Sequence, residues 1–126
     1  MDAGQGFSAL DKTEELGQVA RMPSPAPEPQ DCMSMAEVRA GVDRLDRELV
    51  ALLKKRFAFM RAAARIKQDR NAVRDEDRKA EVVDAASRAA QEAGLPAQEI
   101  AAIWDRLVEA SIEYEMQEWE RLHPPR

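Results

Sequence analysis

From Ser34 onward, apolar residues recur every seven positions: Val38, Leu45, Leu52, Phe59 and Ile66 form one line, with Val42, Leu49 and Ala63 as a second line beside it. The spacing predicts one packing helix of about thirty residues, longer than an ordinary globular helix and suited to running along a partner in the manner of a coiled coil. Ser34 followed three residues later by Glu37 is a capping box, which opens the helix.

Periodicity lapses between Gln68 and Arg74, a short loop. Asp75 then caps a second helix that runs to about Ala93, where Gly94 supplies the stop. Its apolar face, Val82, Val83, Ala86, Ala89 and Ala90, is small and suits close packing. Pro96, at a first helical position, starts a third helix. Ile100, Trp104 and Leu107 give it one face, Ile103 widens that face, and the pattern ends near Leu122 before Pro124 and Pro125. Strand-like alternation and internal repeats are both missing, so the fold class is all-α with three helices per chain, one long and two shorter. The expected boundaries are a Pro-rich disordered tail over 1–33, a helical domain over 34–122 and a short C-terminal tail over 123–126. Within the first tail a short helix over Ala9 to Ala20 lacks a strong apolar face, and the prolines from Pro23 to Pro29 read as a spacer in preference to an SH3-type ligand, for want of a flanking basic anchor.

A chain of 126 residues with 5 % aromatics holds one thin core at most, so a second subunit is expected to complete it. A net charge of −5 argues against general affinity for nucleic acid or anionic membrane, and any anion site must be local. Cys32 has no second cysteine to pair with, and with the lone His123 it offers too few soft ligands for zinc. The N-terminus has neither a basic start nor an apolar run, which makes the cytoplasm the expected compartment.

Cations interrupt this apolar pattern. Seven residues beyond Leu49 the second line meets Arg56, inside the stripe. Lys67 follows eleven residues later, from nearly the same side of the helix and about 16 Å away, so both long side chains can lean toward one cavity. In the third helix Ser111 and Glu115 continue the face of Ile100, Trp104 and Leu107. Two readings stand side by side: structural ion pairs, with Glu115 matched to Arg56 or Lys67, or a pocket for a small carboxylated metabolite. Arg suits the second because its planar fork donates two parallel charge-assisted hydrogen bonds to a carboxylate. Arg39 points roughly a quarter turn away from Arg56 and would more naturally serve a neighbouring subunit. No nucleophile triad, glycine-rich phosphate loop or metal cluster is present in the sequence, so catalysis would have to rest on positioning and electrostatics.

The ordered set Arg39, Leu45-Asp46, Leu52-Leu53, Arg56, Ile66-Lys67, Val73-Arg74-Asp75, Arg78, Ser111 and Glu115 resembles the all-helical chorismate mutases over roughly Met35 to Trp119. It is also similar to the isochorismate-pyruvate lyases on the same fold, a branch that Asp31-Cys32 and Ala36-Glu-Val-Arg39 look like. The resemblance implies an intertwined homodimer in aromatic amino acid biosynthesis, on the shikimate pathway. Each site would be built mostly from one chain, with Arg39 contributed across the interface. It further implies that Arg56 and Arg39 hold the substrate carboxylates and that Lys67 reaches a carboxylate and the ether oxygen. Ser111 would support the carboxylate, Asp75 would contribute through its backbone and Arg78 would shape the site. Lys67, Glu115 and Arg56 become the catalytic residues of a Claisen rearrangement of chorismate to prephenate, with no cofactor and no metal.

This chain departs from the mutase pattern twice. Lys79 stands where many bacterial mutases place a glutamate for the ring hydroxyl, with Glu81 shifted along the helix, and Glu115 stands where a glutamine is common. A glutamate donates a hydrogen bond there only when protonated. Val73-Arg-Asp-x-x-Arg78 looks like the mutase loop and puts chorismate mutase first. The alternatives are an isochorismate-pyruvate lyase forming salicylate and pyruvate, a mutase acting on 4-amino-4-deoxychorismate, and a catalytically silent helical dimer that binds or regulates.

Overall fold

The computed structural model describes residues 27–125. The proposed helix over Ala9 to Ala20 and most of the expected tail lie outside the described residues. The chain divides into two compact units, Met1–Glu48 and Leu49–Arg126.

A single 3-10 turn, Pro29–Asp31, precedes helix α1, Met35–Ile66, whose residues 35–48 fall in the first unit and 49–66 in the second. The capping box forms: the Ser34 hydroxyl accepts from the Glu37 N–H at 3.2 Å, while the Glu37 carboxylate reaches back to the Met33 N–H at 2.7 Å. Two donors that the helix start leaves without intrahelical partners are satisfied in this way.

In the second unit, after a 3-10 turn at Arg70–Ala72, α2 (Glu76–Glu92) packs along α3 (Ala97–Leu122). The described residues are therefore all-helical apart from turns and loops, with three α-helices. Asp75 caps α2 by accepting from the Arg78 N–H at 3.0 Å. At its far end Gly94 takes φ 75°, and the Leu95 and Gly94 N–H groups donate to Ala90 and Gln91 carbonyls at 2.8 and 3.1 Å. That pair of bonds is a Schellman closure, which needs the left-handed conformation glycine adopts without steric cost. Pro96 lies one residue earlier than expected relative to the third helix: it is the N-cap, and α3 begins at Ala97. Its ψ of 102° is extended, which places it outside the helix proper.

The interior of the second unit is made of small residues. Ala64, Val73, Ala90 and Val108 are its buried apolar side chains, and no large side chain is fully buried among the described residues. The heptad lines of α1 are not consumed by this packing. Val42, Leu45, Leu49, Leu52, Phe59 and Ile66 are each between 49 % and 67 % exposed.

An ion-pair cluster ties the start of α2 to α3. Arg74 grips Glu109 with two hydrogen bonds of 2.7 and 3.1 Å, and Lys79 reaches Glu109 at 2.6 Å and Asp105 at 3.1 Å. Hydrogen bonds from Arg74 and then from Lys79 hold the Glu109 carboxyl down to about 2. Because its folded value lies below its unfolded one, the stability it contributes is present above the ordinary carboxylate range and is lost as pH falls through about 2. The urea midpoint difference between wild type and Glu109→Gln should accordingly be largest near pH 7 and shrink steadily below about pH 4.5. An equal difference at pH 7 and pH 3 would contradict the pairing.

Candidate active site

One face of α3 carries Ser111 and Glu115, four residues apart, and both are buried, at 3 % and 4 % exposure. Polar groups at that depth need partners. They find them on the C-terminal half of α1 and on Lys67, the residue that follows it. The Arg56 guanidinium donates to Ser111 Oγ at 2.6 Å, and Ser111 in turn donates to the Leu107 carbonyl one turn back at 2.7 Å. Lys67 Nζ lies 2.7 Å from Glu115 Oε2. That oxygen has no well-directed hydrogen bond, so the lysine contact is close but poorly aligned. Between these two contacts Phe57 meets Tyr114 edge-on at 5.0 Å, and Arg61 donates to the Tyr114 hydroxyl at 2.9 Å. Contacts thus advance together along α1 and α3, and the sequence gives Phe57 and Tyr114 no signal beyond ordinary helical spacing.

Arg56 is the electrostatic anomaly. Among the described residues it has a hydroxyl partner and no carboxylate. Burial lowers its basicity, and the positive charge of Arg78 lowers it further. Arg78 projects from the first turn of α2, mostly exposed, and meets Glu81 at 3.3 Å. Two like charges close enough for one to lower the basicity of the other disfavour the bare pair, and an anion beside them would relieve that repulsion. A planar carboxylate is the group the Arg56 fork is shaped to take.

The expected site residues therefore fall into three sets. Arg56, Ser111, Lys67 and Glu115 are in direct pairs, and Arg78 acts on Arg56 through its charge. Asp75 sits at the α2 N-cap with its side chain engaged by the Arg78 N–H. Arg39 is exposed on α1 in the first unit. Lys79, adjacent to Arg78, is turned to Asp105 and Glu109. Glu81 is held by Arg78. No group of three or more His, Cys, Asp or Glu side chains able to hold a metal occurs among the described residues. No helix among them is long and apolar enough to cross a membrane.

Residues 38–116 match the family model described as chorismate mutase type II. The chain belongs to this family. All seven expected site residues, from Arg39 to Glu115, lie inside the matched span. The chain is also similar to the isochorismate pyruvate lyase of Pseudomonas aeruginosa, at 29 % identity over 91 residues that make up 72 % of this chain and 90 % of the lyase. A match to the type II chorismate mutase family thus stands beside a similarity to a protein named for a different reaction.

If the Arg56 site is built for an anion, Arg56→Met should leave the ligand-free protein as stable as wild type or slightly more so. The change removes an uncompensated cation, and Ser111 keeps its bond to Leu107. The stabilisation that a small dicarboxylate gives the wild type in thermal melts should vanish in the variant. A melting temperature lowered by more than about 5 °C would instead mark Arg56 as a structural residue.

Proposed function

We propose that the protein is a chorismate mutase, rearranging chorismate to prephenate by electrostatic and orientational catalysis, with residues 34–122 as the catalytic domain. The observation that carries this reading is Arg56, half-buried, under the positive charge of Arg78 and bonded to a hydroxyl where a structural ion pair would have a carboxylate. In the rearrangement one C–O bond breaks as one C–C bond forms, with no net proton transfer, so the protein has only to hold the two arms together and to stabilise the charge that develops. Arg56 grips a substrate carboxylate, with Arg78 adding positive potential. Lys67 swings from Glu115 toward a carboxylate and the ether oxygen, while Ser111 orients Arg56. Glu115, relieved of Lys67, is left beside the same ether oxygen, where a carboxylic acid can donate a hydrogen bond.

The exposed heptad lines of α1 support a homodimer, since apolar surface of this extent on a soluble helix is covered by a partner, and a second copy presents the same seam. In such a dimer Arg39 enters the neighbouring site and completes the grip on the second carboxylate. Mixing Arg39→Ala with Arg56→Ala subunits then restores activity, because a mixed dimer holds one site with both defects and one with none. Absence of recovery despite proven subunit exchange would place Arg39 in its own chain's site or outside any site.

The second reading is an isochorismate-pyruvate lyase, favoured by the similarity to the Pseudomonas aeruginosa lyase. The two are separated by offering chorismate and isochorismate in parallel and following prephenate against salicylate with pyruvate. The mutase reading expects prephenate. Salicylate alone would replace it with the lyase, and consumption of neither would leave a binding module. With whichever substrate turns over, Arg56→Ala should lower kcat/KM by about a hundredfold or more, roughly 3 kcal/mol for a charge-assisted donor in a dry site. Glu115→Gln, which keeps the shape and can donate to the ether oxygen, should retain substantial turnover. An inactive variant would reassign Glu115 to a fixed ion pair with Lys67.

A further inference from the structure

The indole N–H of Trp119 donates to the backbone carbonyl of Lys67 at 2.9 Å, across 52 residues of sequence. Lys67 follows Ile66, the last residue of α1, and its own N–H still donates to the Ala63 carbonyl at 2.9 Å. Its carbonyl is therefore among those that a helix end leaves without an intrahelical donor. Trp119 stands one turn beyond Glu115 on the same face of α3. One helix face thus holds Lys67 at both ends, the ammonium by Glu115 and the peptide by Trp119.

The indole is itself fixed. The His123 ring stacks on it with centroids 4.1 Å apart at 16°, and His123 Nδ1 lies 2.9 Å from the Trp119 carbonyl. The neighbouring Glu120 takes two hydrogen bonds from Arg70, at 3.0 and 2.8 Å, fastening the same loop three residues after Lys67. Trp119 and His123 both lie beyond the span by which the family was recognised.

We propose that Trp119 is a positioning residue for Lys67, fixing the peptide from which the catalytic ammonium is aimed. This rests on the proposed role of Lys67 at the ether oxygen. Displacing a reacting group by about 1 Å costs on the order of a hundredfold in rate, so a partial loosening is worth about tenfold.

The test is a double-variant cycle in the full chain, with the substrate that turns over. Trp119→Phe keeps an aromatic ring against His123 and removes the N–H. It should lower kcat about tenfold with KM changed less than about twofold, and the Trp119→Phe, Lys67→Ala double variant should be no slower than Lys67→Ala alone. In the wild type, the Trp119 indole proton, told from Trp104 by a Trp104→Phe variant, should exchange with solvent at least about tenfold more slowly than free indole. Additive losses in the cycle, an unchanged kcat in Trp119→Phe, or an indole proton exchanging at the free rate would each overturn the positioning role while leaving the Lys67 site standing. If Lys67→Ala is as active as wild type, the site reading fails and this inference with it.

Discussion

Everything at the candidate site follows from two polar side chains buried in the face of α3. Ser111 and Glu115 occupy positions where the helical pattern calls for apolar residues, and at 3 % and 4 % exposure neither can be solvated by bulk water. A buried carboxylate without a cation costs several kcal/mol, so Lys67 has to come to Glu115, and α1 has to end where its lysine can do so. That requirement sets the register of α1 against α3. Arg56, three turns earlier, then meets Ser111, and between them the Phe57–Tyr114 contact keeps the same register. The core around these pairs is built of Ala64, Ala90 and Val108, small enough to let the helices approach. The result is a polar seam held between helices by a few contacts.

The three helices were legible because each is bounded by chemistry that acts locally. Ser34 with Glu37, Asp75 and Gly94 all do in the structure what their types dictate at helix ends, and Pro96 differs only by one position. The intruding polar residues were legible too, as breaks in periodicity at Arg56, Ser111 and Glu115. Which partner each would choose was not. Periodicity places a residue on a face, but the pairing of Glu115 with Lys67 and of Arg56 with Ser111 depends on how far one helix slides along another. The Arg74–Glu109–Lys79–Asp105 cluster and the Trp119 bond to a backbone carbonyl depend on tertiary approach in the same way. Lys79 illustrates the difference: the sequence sets it where a glutamate for the ring hydroxyl is common, and the structure turns it to Asp105 and Glu109 of α3.

The core of the second unit is made of small side chains, and the candidate site carries a cation with no carboxylate partner among the described residues. The apolar lines of α1 stay exposed, and the positive charge of Arg78 lowers the basicity of Arg56. Lys79 and Arg74 carry charges of the same sign nearby and are neutralised by Glu109 and Asp105, whereas Arg56 has no carboxylate partner among the described residues. A net charge of −5 meanwhile argues against a general attraction for polyanions.

The most direct test of this arrangement is the binding of a stable bicyclic ether dicarboxylate, shaped like the transition state of the rearrangement, measured by calorimetry. A site complementary to the transition state should bind it at one molecule per chain and at least about a hundredfold more tightly than chorismate, with that affinity lost in Arg56→Met. Binding no tighter than that of chorismate, or affinity unchanged when Arg56 is replaced, would contradict the assignment of the Arg56, Lys67 and Glu115 cluster as the catalytic site.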